Sequence, residues 1–304
     1  MNILLFGSGG QVGWELVRTL QPLGSVHAYD FPAADFSRPE TLRQMVRGIN
    51  PQVIVNAAAH TAVDRAEDEP ELSQLINAES PAVLAEEAGR TNALLVHYST
   101  DYVFDGTKPD AYSEEDEPNP LGVYGRTKLA GEKAIAASGC RHLIFRTSWV
   151  FGARGQNFLK TMLRLADGRP ELRVIDDQHG APTGSRMLAE ATTAVLNRIS
   201  VMQESAWNAG VYHMTCSGVT SWFGFTRTIL EEACRLGLLK EAVVPKLIPI
   251  ATHEYPLKAA RPANSVLSNE KLRKTFGISM PAWDVCVRQV IDELTLHTEQ
   301  SRAE

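Results

Sequence analysis

Ile3-Leu4-Leu5-Phe6-Gly7-Ser8-Gly9-Gly10-Gln11-Val12-Gly13 is the stretch on which the fold turns. A short continuous apolar run stopped by glycine is the pattern of a parallel strand buried on both faces. Val12, Leu16, Val17 and Leu20 then recur at helical spacing, so the glycines occupy a strand-to-helix turn. Glycine lets the backbone turn sharply and approach a pyrophosphate, whose charge is stabilised by the unpaired amides and positive dipole end of the new helix. A glycine cluster alone reads equally well as a loop. This one has the required strand before it and helix after it.

The same alternation continues outward. Val26 to Tyr29 is a second strand ending at Asp30, close to the interval of roughly 20 residues at which an acidic side chain binds the adenosine ribose. Two readings of Asp30 are open: a ribose ligand, which favours NADH over the 2'-phosphate of NADPH, or an exposed strand-end carboxylate. Helical spacing around Leu42, Val46 and Ile49 leads to a third strand, Val53-Ile54-Val55, ending in Asn56 and the small residues Ala57 to Ala59, then His60 and Thr61. Leu72, Leu75, Ile76, Val83 and Leu84 mark another helical region, and Leu94-Leu95-Val96 carries a fourth strand to Ser99 and Thr100. Leu143 to Arg146 is a fifth.

Strands alternating with amphipathic helices predict an α/β fold: a Rossmann-like, doubly wound parallel sheet with helices on both faces. Ligands of such sheets bind at the carboxyl ends of the strands, where Gly7 to Gly13, Asp30, Ala57 to Thr61 and Thr100 all fall. Beyond residue 150 the pattern is less regular, with a turn-rich stretch from Asp176 to Gly184, a helix on Leu188, Ala191, Val195 and Ile199, and a strand at Val211 to Met214. Residues 1–150 are therefore expected to form the dinucleotide-binding domain, with 184–210 returning to it. Residues 151–183 and 211–300 are expected to form a smaller mixed α/β substrate-binding lobe.

Composition narrows the partners. The 304 residues are 44% hydrophobic with a net charge of -6, acids and bases interleaved, which argues against nucleic acid or an anionic membrane. No apolar segment approaches the roughly 20 residues that span a bilayer. Cys140, Cys216, Cys234 and Cys286 form no C-x-x-C pair and read as reduced thiols of a cytosolic enzyme; the histidines show no metal-ligand spacing.

Chemistry is carried by Tyr124-Gly125-Arg126-Thr127-Lys128. A phenol has an ordinary pKa of about 10, and a nearby cation makes its proton available. Positions i and i+4 share a helix face, so the Lys128 ammonium is expected beside the Tyr124 hydroxyl and within reach of a ribose. Thr100, at the end of the preceding strand, supplies an orienting hydroxyl. Proton donor, tuner and orienter together are the parts of a carbonyl-reduction site. Arg261 is read either as a grip for an anionic group or as a surface salt bridge.

With the glycine turn, Ser99-Thr100-Asp101-Tyr102-Val103-Phe104, Tyr124 to Lys128, Arg146-Thr147-Ser148-Trp149-Val150 and Arg261-Pro262-Ala263-Asn264-Ser265 in order, the sequence resembles the dTDP-4-dehydrorhamnose reductases of the extended short-chain dehydrogenase/reductase family over essentially its whole length. The resemblance implies NADPH- or NADH-dependent reduction of the C4 ketone of dTDP-4-dehydro-L-rhamnose, the last step of dTDP-L-rhamnose synthesis for cell-surface polysaccharide, in the cytoplasm. It implies catalysis by Tyr124, Lys128 and Thr100. Dinucleotide contacts would come from Gly7, Gly10, Gln11, Val12, Gly13, Asp30, Asp35, Phe36, Ala59, His60, Thr61 and Tyr98, together with Tyr124 and Lys128. Thr100, Asp101, Trp149, Arg261 and Asn264 would meet the nucleotide sugar.

The family includes members with Mg2+ at a dimer interface. Glu15 and Glu190 offer two carboxylates, but Arg186, one helical turn before Glu190, stands where another acid is expected and is predicted to repel the ion and pair with Glu190. No metal and either a monomer or a homodimer are therefore expected. Dehydratases of this fold carry Glu directly after their Thr-Asp; Tyr102 stands there, which favours simple reduction over elimination or epimerisation. A regulatory subunit resembling that of methionine adenosyltransferase would need none of Tyr124, Lys128 and Thr100.

Overall fold

The computed structural model describes residues 1–203, 206–240 and 244–303. Its strands are β1 (Asn2–Phe6), β2 (Ser25–Tyr29), β3 (Val53–Asn56), β4 (Leu94–Thr100), β5 (His142–Thr147), β6 (Val150–Phe151), β7 (Glu171–Ile175), β8 (His179–Gly180), β9 (Thr183–Gly184), β10 (Gly210–His213), β11 (Thr220–Ser221) and β12 (Lys246–Ile250). Six of them make one parallel sheet in the order β10-β5-β4-β3-β1-β2. The chain therefore reverses direction across the sheet between β1 and β3, the topological switch at which such folds bind ligands.

Side chains of a strand alternate between faces, and the two faces here are both apolar. Ile3, Leu5, Val53, Val55, Val96 and Phe145 enter one core, closed by α1 (Gln11–Thr19) and, from later in the chain, by Leu188 and Val195. Leu4, Phe6, Ile54, Leu95 and Ile144 enter the other. That second core is covered by α2 (Pro39–Ile49) and, after the short helices α3 (Val63–Ala66) and α4 (Pro70–Gln74), by α5 (Ser80–Thr91) and α6 (Val123–Ala137). β2 is the exception, with Ser25, His27 and Ala28 exposed, as suits an edge strand.

A π-helical stretch, Leu75–Glu79, joins α4 to α5 and turns Asn77 inward, where it is fully buried. Its carboxamide accepts the His60 N–H at 2.9 Å and donates to the His60 carbonyl and to Thr127 Oγ1. The loop after β3 is thereby tied to α6, the helix that carries Tyr124.

A third core lies outside the sheet. It is built from Phe151, Leu159 and Met162 of β6 and α7 (Phe158–Ala166), Phe225 and Ile229 of α9 (Trp222–Arg235), and Cys286, Val287 and Ile291 of α11 (Trp283–Ala303). Between these elements come α8 (Ser185–Val201), which packs on α1, and α10 (Glu270–Phe276). Cys216 and Cys286, distant in sequence, meet in this core as free thiols 3.4 Å apart.

The boundary expected at residue 211 differs from the observed arrangement. β10 does not belong to the lobe: it pairs in parallel with β5 at the edge of the main sheet, Val211 opposite Ile144. The reason is α8, which lies along α1 and returns the chain to the sheet's open edge.

Candidate active site

A cleft of about 810 Å³ opens at the carboxyl ends of β1, β3 and β4. Its floor is the glycine turn. Gly7 has φ +80°, and a Cβ there would lie 2.6 Å from the Ala58 nitrogen. Gly13 stands behind the floor; a Cβ there would collide with the Gly7 carbonyl, so its hydrogen is what lets α1 start against β1. Gly10 caps α1 in extended conformation with no side chain on the first-turn amides, which leaves them to an anion. The Gly9 N–H donates to Asp30 Oδ2 at 2.9 Å and anchors that carboxylate at the cleft edge.

Gly7, Gly10, Gln11, Val12, Asp30, Asp35, Phe36, Ala59, Thr61 and Tyr98 all line the cleft. Gly13 and His60 do not. The His60 ring is nearly buried, 3.2 Å from Ser73 Oγ and 3.4 Å from Glu69, while its backbone is held by Asn77.

Thr100, Tyr124 and Lys128 share this wall. Burial pushes the Tyr124 phenol up to about 12, partly offset by a hydrogen bond with Thr100. Thr100 Oγ1 donates to Asp101 Oδ1 at 3.0 Å, and burial pushes the Asp101 carboxyl up to about 6. Ser99 Oγ and Thr147 Oγ1, also on the wall, are buried without a partner in the protein. Such groups carry an unmet hydrogen-bonding demand that a bound molecule can satisfy.

Lys128, one helical turn beyond Tyr124, finds its hydrogen-bond partners on β4. Its Nζ donates to the Tyr98 carbonyl at 2.7 Å and lies 3.1 Å from His97 Nε2. An amine that is 1% exposed requires polar partners, and β4 provides them. Burial lowers its pKa to about 8, against the opposing pull of Glu132.

Trp149, just after β5, has φ +47° and stacks on Trp222 with centroids 3.6 Å apart. A bulky residue in the left-handed region is unusual. Gly180 makes the room, since a Cβ there would lie 2.7 Å from the indole. Both tryptophans line the cleft. Arg261 and Asn264 do not. Arg261 donates to Asp64 Oδ2 at 2.8 Å and to the Ala259 carbonyl, one layer behind Tyr102. Asn264 Nδ2 donates to the carbonyls of Lys108 and Asp110, and its Oδ1 accepts the Val266 N–H, so the side chain holds a loop.

Arg186 pairs with Glu293 at 2.6 Å and with Glu15 at 3.5 Å rather than with Glu190, which is exposed. Among the described residues no group of three or more His, Cys, Asp or Glu side chains converges as metal ligands would. Motif reading missed His97, Asn77 and Trp222, whose partners lie far along the chain.

A model of the RmlD substrate binding domain matches residues 1–296. The chain belongs to the RmlD substrate binding domain family. Two curated relatives of this RmlD-family chain are the dTDP-4-dehydrorhamnose reductases of Escherichia coli (strain K12), 49% identical over 97% of this chain and 98% of its own length, and of Burkholderia thailandensis, 48% identical over 96% and 100%. Among solved structures, a dTDP-4-dehydrorhamnose reductase from Bacillus anthracis in complex with NADP superposes with a TM-score of 0.86 at 33% identity, covering 96% of this chain and 98% of that one. A UDP-glucose 4-epimerase from Thermus thermophilus, 19% identical with a TM-score of 0.75 over 97% of this chain and 99% of its own, shares the RmlD family's fold.

Proposed function

We propose that the chain reduces the C4 ketone of dTDP-4-dehydro-L-rhamnose to the alcohol of dTDP-L-rhamnose, using NADPH or NADH, in the synthesis of nucleotide sugar for cell-surface polysaccharide. The observation that carries this reading is one cleft holding the glycine turn, Thr100, Tyr124 and Lys128 together. Kinship to reductases at nearly half identity over almost the full chain supports the substrate.

The cleft suits a reduced nicotinamide dinucleotide. A Cβ at Gly7 or Gly13 would close the turn against backbone atoms, and the first amides of α1 lack a side-chain cap. When bound, the dinucleotide supplies the hydride for C4. Tyr124, held protonated through the neutral range, gives its proton to the oxygen as negative charge develops there. Thr100 orients that oxygen, and Asp101 and Trp149 flank the sugar. Tyr102, where a dehydratase needs a carboxylate, packs edge-on to Tyr124 at 5.6 Å and offers only a phenol. Elimination therefore has no acid at that position. The test follows NADH and NADPH oxidation with dTDP-4-dehydrorhamnose and a UDP-linked keto-sugar in parallel; turnover of neither, or cofactor that copurifies and returns unchanged, overturns reduction.

Asp30 favours the free ribose hydroxyls of NADH. Asp30→Ala is expected to shift the NADPH to NADH affinity ratio toward NADPH by about tenfold, roughly 1.4 kcal/mol, in fluorescence titrations. An unchanged ratio removes Asp30 from ribose recognition.

The reading includes a cytoplasmic location, supported by four free thiols. No helix among the described residues is long and apolar enough to cross a membrane. With Arg186 seated between Glu15 and Glu293, neither magnesium nor a metal-dependent dimer is needed. Sedimentation with and without chelator is expected to give the same species; a dimer that the chelator dissociates contradicts this.

A further inference from the structure

A run of donors and acceptors crosses beneath α6 at the ends of β3 and β4, and its direction can be read. The Ala58 N–H donates to Asn56 Oδ1 at 3.0 Å, which sets the carboxamide's orientation. Asn56 Nδ2, a donor only, therefore faces His97 Nδ1 at 3.0 Å. Nδ1 must accept. His97 is fully buried, and burial keeps its pKa well below the ordinary range, so the ring is neutral. Its one proton then sits on Nε2.

Nε2 lies 3.1 Å from Lys128 Nζ, which also donates to the Tyr98 carbonyl. An N–H aimed at an ammonium sets donor against donor. Aimed at an amine, it meets a lone pair, and every link from Ala58 to Tyr98 is satisfied in a single direction. Reversing the ring or the carboxamide only moves the conflict to Asn56 or Ala58.

We propose that His97 is a positioning residue that holds Lys128 as the neutral amine in the free enzyme on the alkaline side of neutrality, and that Nζ there takes a proton from solvent when the lysine exchanges His97 for the hydroxyl oxygens of a bound dinucleotide. The exchange rests on the dinucleotide reading above. The groups around Nζ agree. β4 contributes His97 and the Tyr98 carbonyl, and α6 itself contributes Glu132; burial holds the lysine down, to about 8. Among the described residues Glu132 is the one carboxylate that favours the ammonium, beside the Tyr98 carbonyl, and it is shared with Arg146 of β5 at 2.6 Å. Asp101 acts on the Tyr124 side. On the alkaline side of neutrality the cation that makes the phenol's proton available is thus formed on loading of the site.

Calorimetric titration of NADPH and NADH into the enzyme, in buffers of different ionisation enthalpy on the alkaline side of neutrality, counts the protons taken up. The native enzyme is expected to take up about one proton per bound dinucleotide. In His97→Gln, whose side-chain carbonyl can accept from Nζ, uptake is expected to fall toward zero while binding persists. Equal uptake in the two proteins, or binding without uptake in the native enzyme, overturns the proposal. Absence of binding by the native enzyme refutes the dinucleotide reading instead. The charge state of Lys128 is then decided separately, by NMR titration of its side chain in the free enzyme: a midpoint in the ordinary lysine range overturns the proposal, and a depressed one supports it. That titration also decides the matter if His97→Gln fails to fold.

Discussion

Tyr124→Phe is expected to lower turnover by about 10² to 10⁴ while dinucleotide affinity changes little. The substitution removes one oxygen and keeps the ring, which packs with Ala66 and Val123 and edge-on to Tyr102. Structure and binding are therefore preserved, and the missing proton donor is what kinetics reports. Water is a poor substitute because it is a solvent molecule not held at the position of the phenol, which is 9% exposed. The check is kcat against the dissociation constant from fluorescence titration. An unchanged kcat removes Tyr124 from its role; a parallel loss of cofactor affinity reassigns it to binding.

Glu132→Leu is expected to cost about 3–5 kcal/mol of stability in urea unfolding, because it strands a guanidinium inside the protein. Arg146 Nε and Nη2 hold the Glu132 carboxylate at 3.0 and 2.6 Å, and each side chain is 4% exposed. Nη1 already lacks a partner, and the guanidinium carbon lies 5.1 Å from the Phe104 ring centroid. Removing both charges, as Glu132→Leu with Arg146→Met, is expected to restore most of the loss, since a buried pair repays little beyond its own desolvation. A single substitution that costs less than about 1 kcal/mol would show that water reaches the arginine. The pair joins α6 to β5, so it also positions the helix that carries Tyr124 and Lys128.

Much of this architecture was legible because its causes are local. Strands covered on both faces must be apolar throughout, and Ile3 to Phe6, Val53 to Val55 and Leu94 to Val96 are. The turn from Gly7 to Gly13 announces itself through residues that no other side chain can replace. The sequence of β10 reads as part of the lobe because an edge strand needs fewer apolar residues, and nothing in Gly210-Val211-Tyr212-His213 says which sheet it joins. Helical spacing placed Tyr124 and Lys128 on one face but could not aim a flexible four-carbon side chain, whose direction depends on His97 and the Tyr98 carbonyl, some thirty positions away. Arg261 and Asn264 look like ligands in a loop sequence; the fold uses them instead on Asp64 and on backbone carbonyls. Arg186 lies one turn from Glu190, yet α1 and α11 bring Glu15 and Glu293 to it first.

Strand β10 has a mechanical meaning. The chain leaves the sheet after β5, comes back along α8, and leaves again after β10, the strand bonded to β5. The two departures are neighbours on one edge, and the outer lobe is moored a second time through Arg261 on Asp64 and Asn264 on the carbonyls of Lys108 and Asp110, so it is fastened to the sheet domain along more than one line.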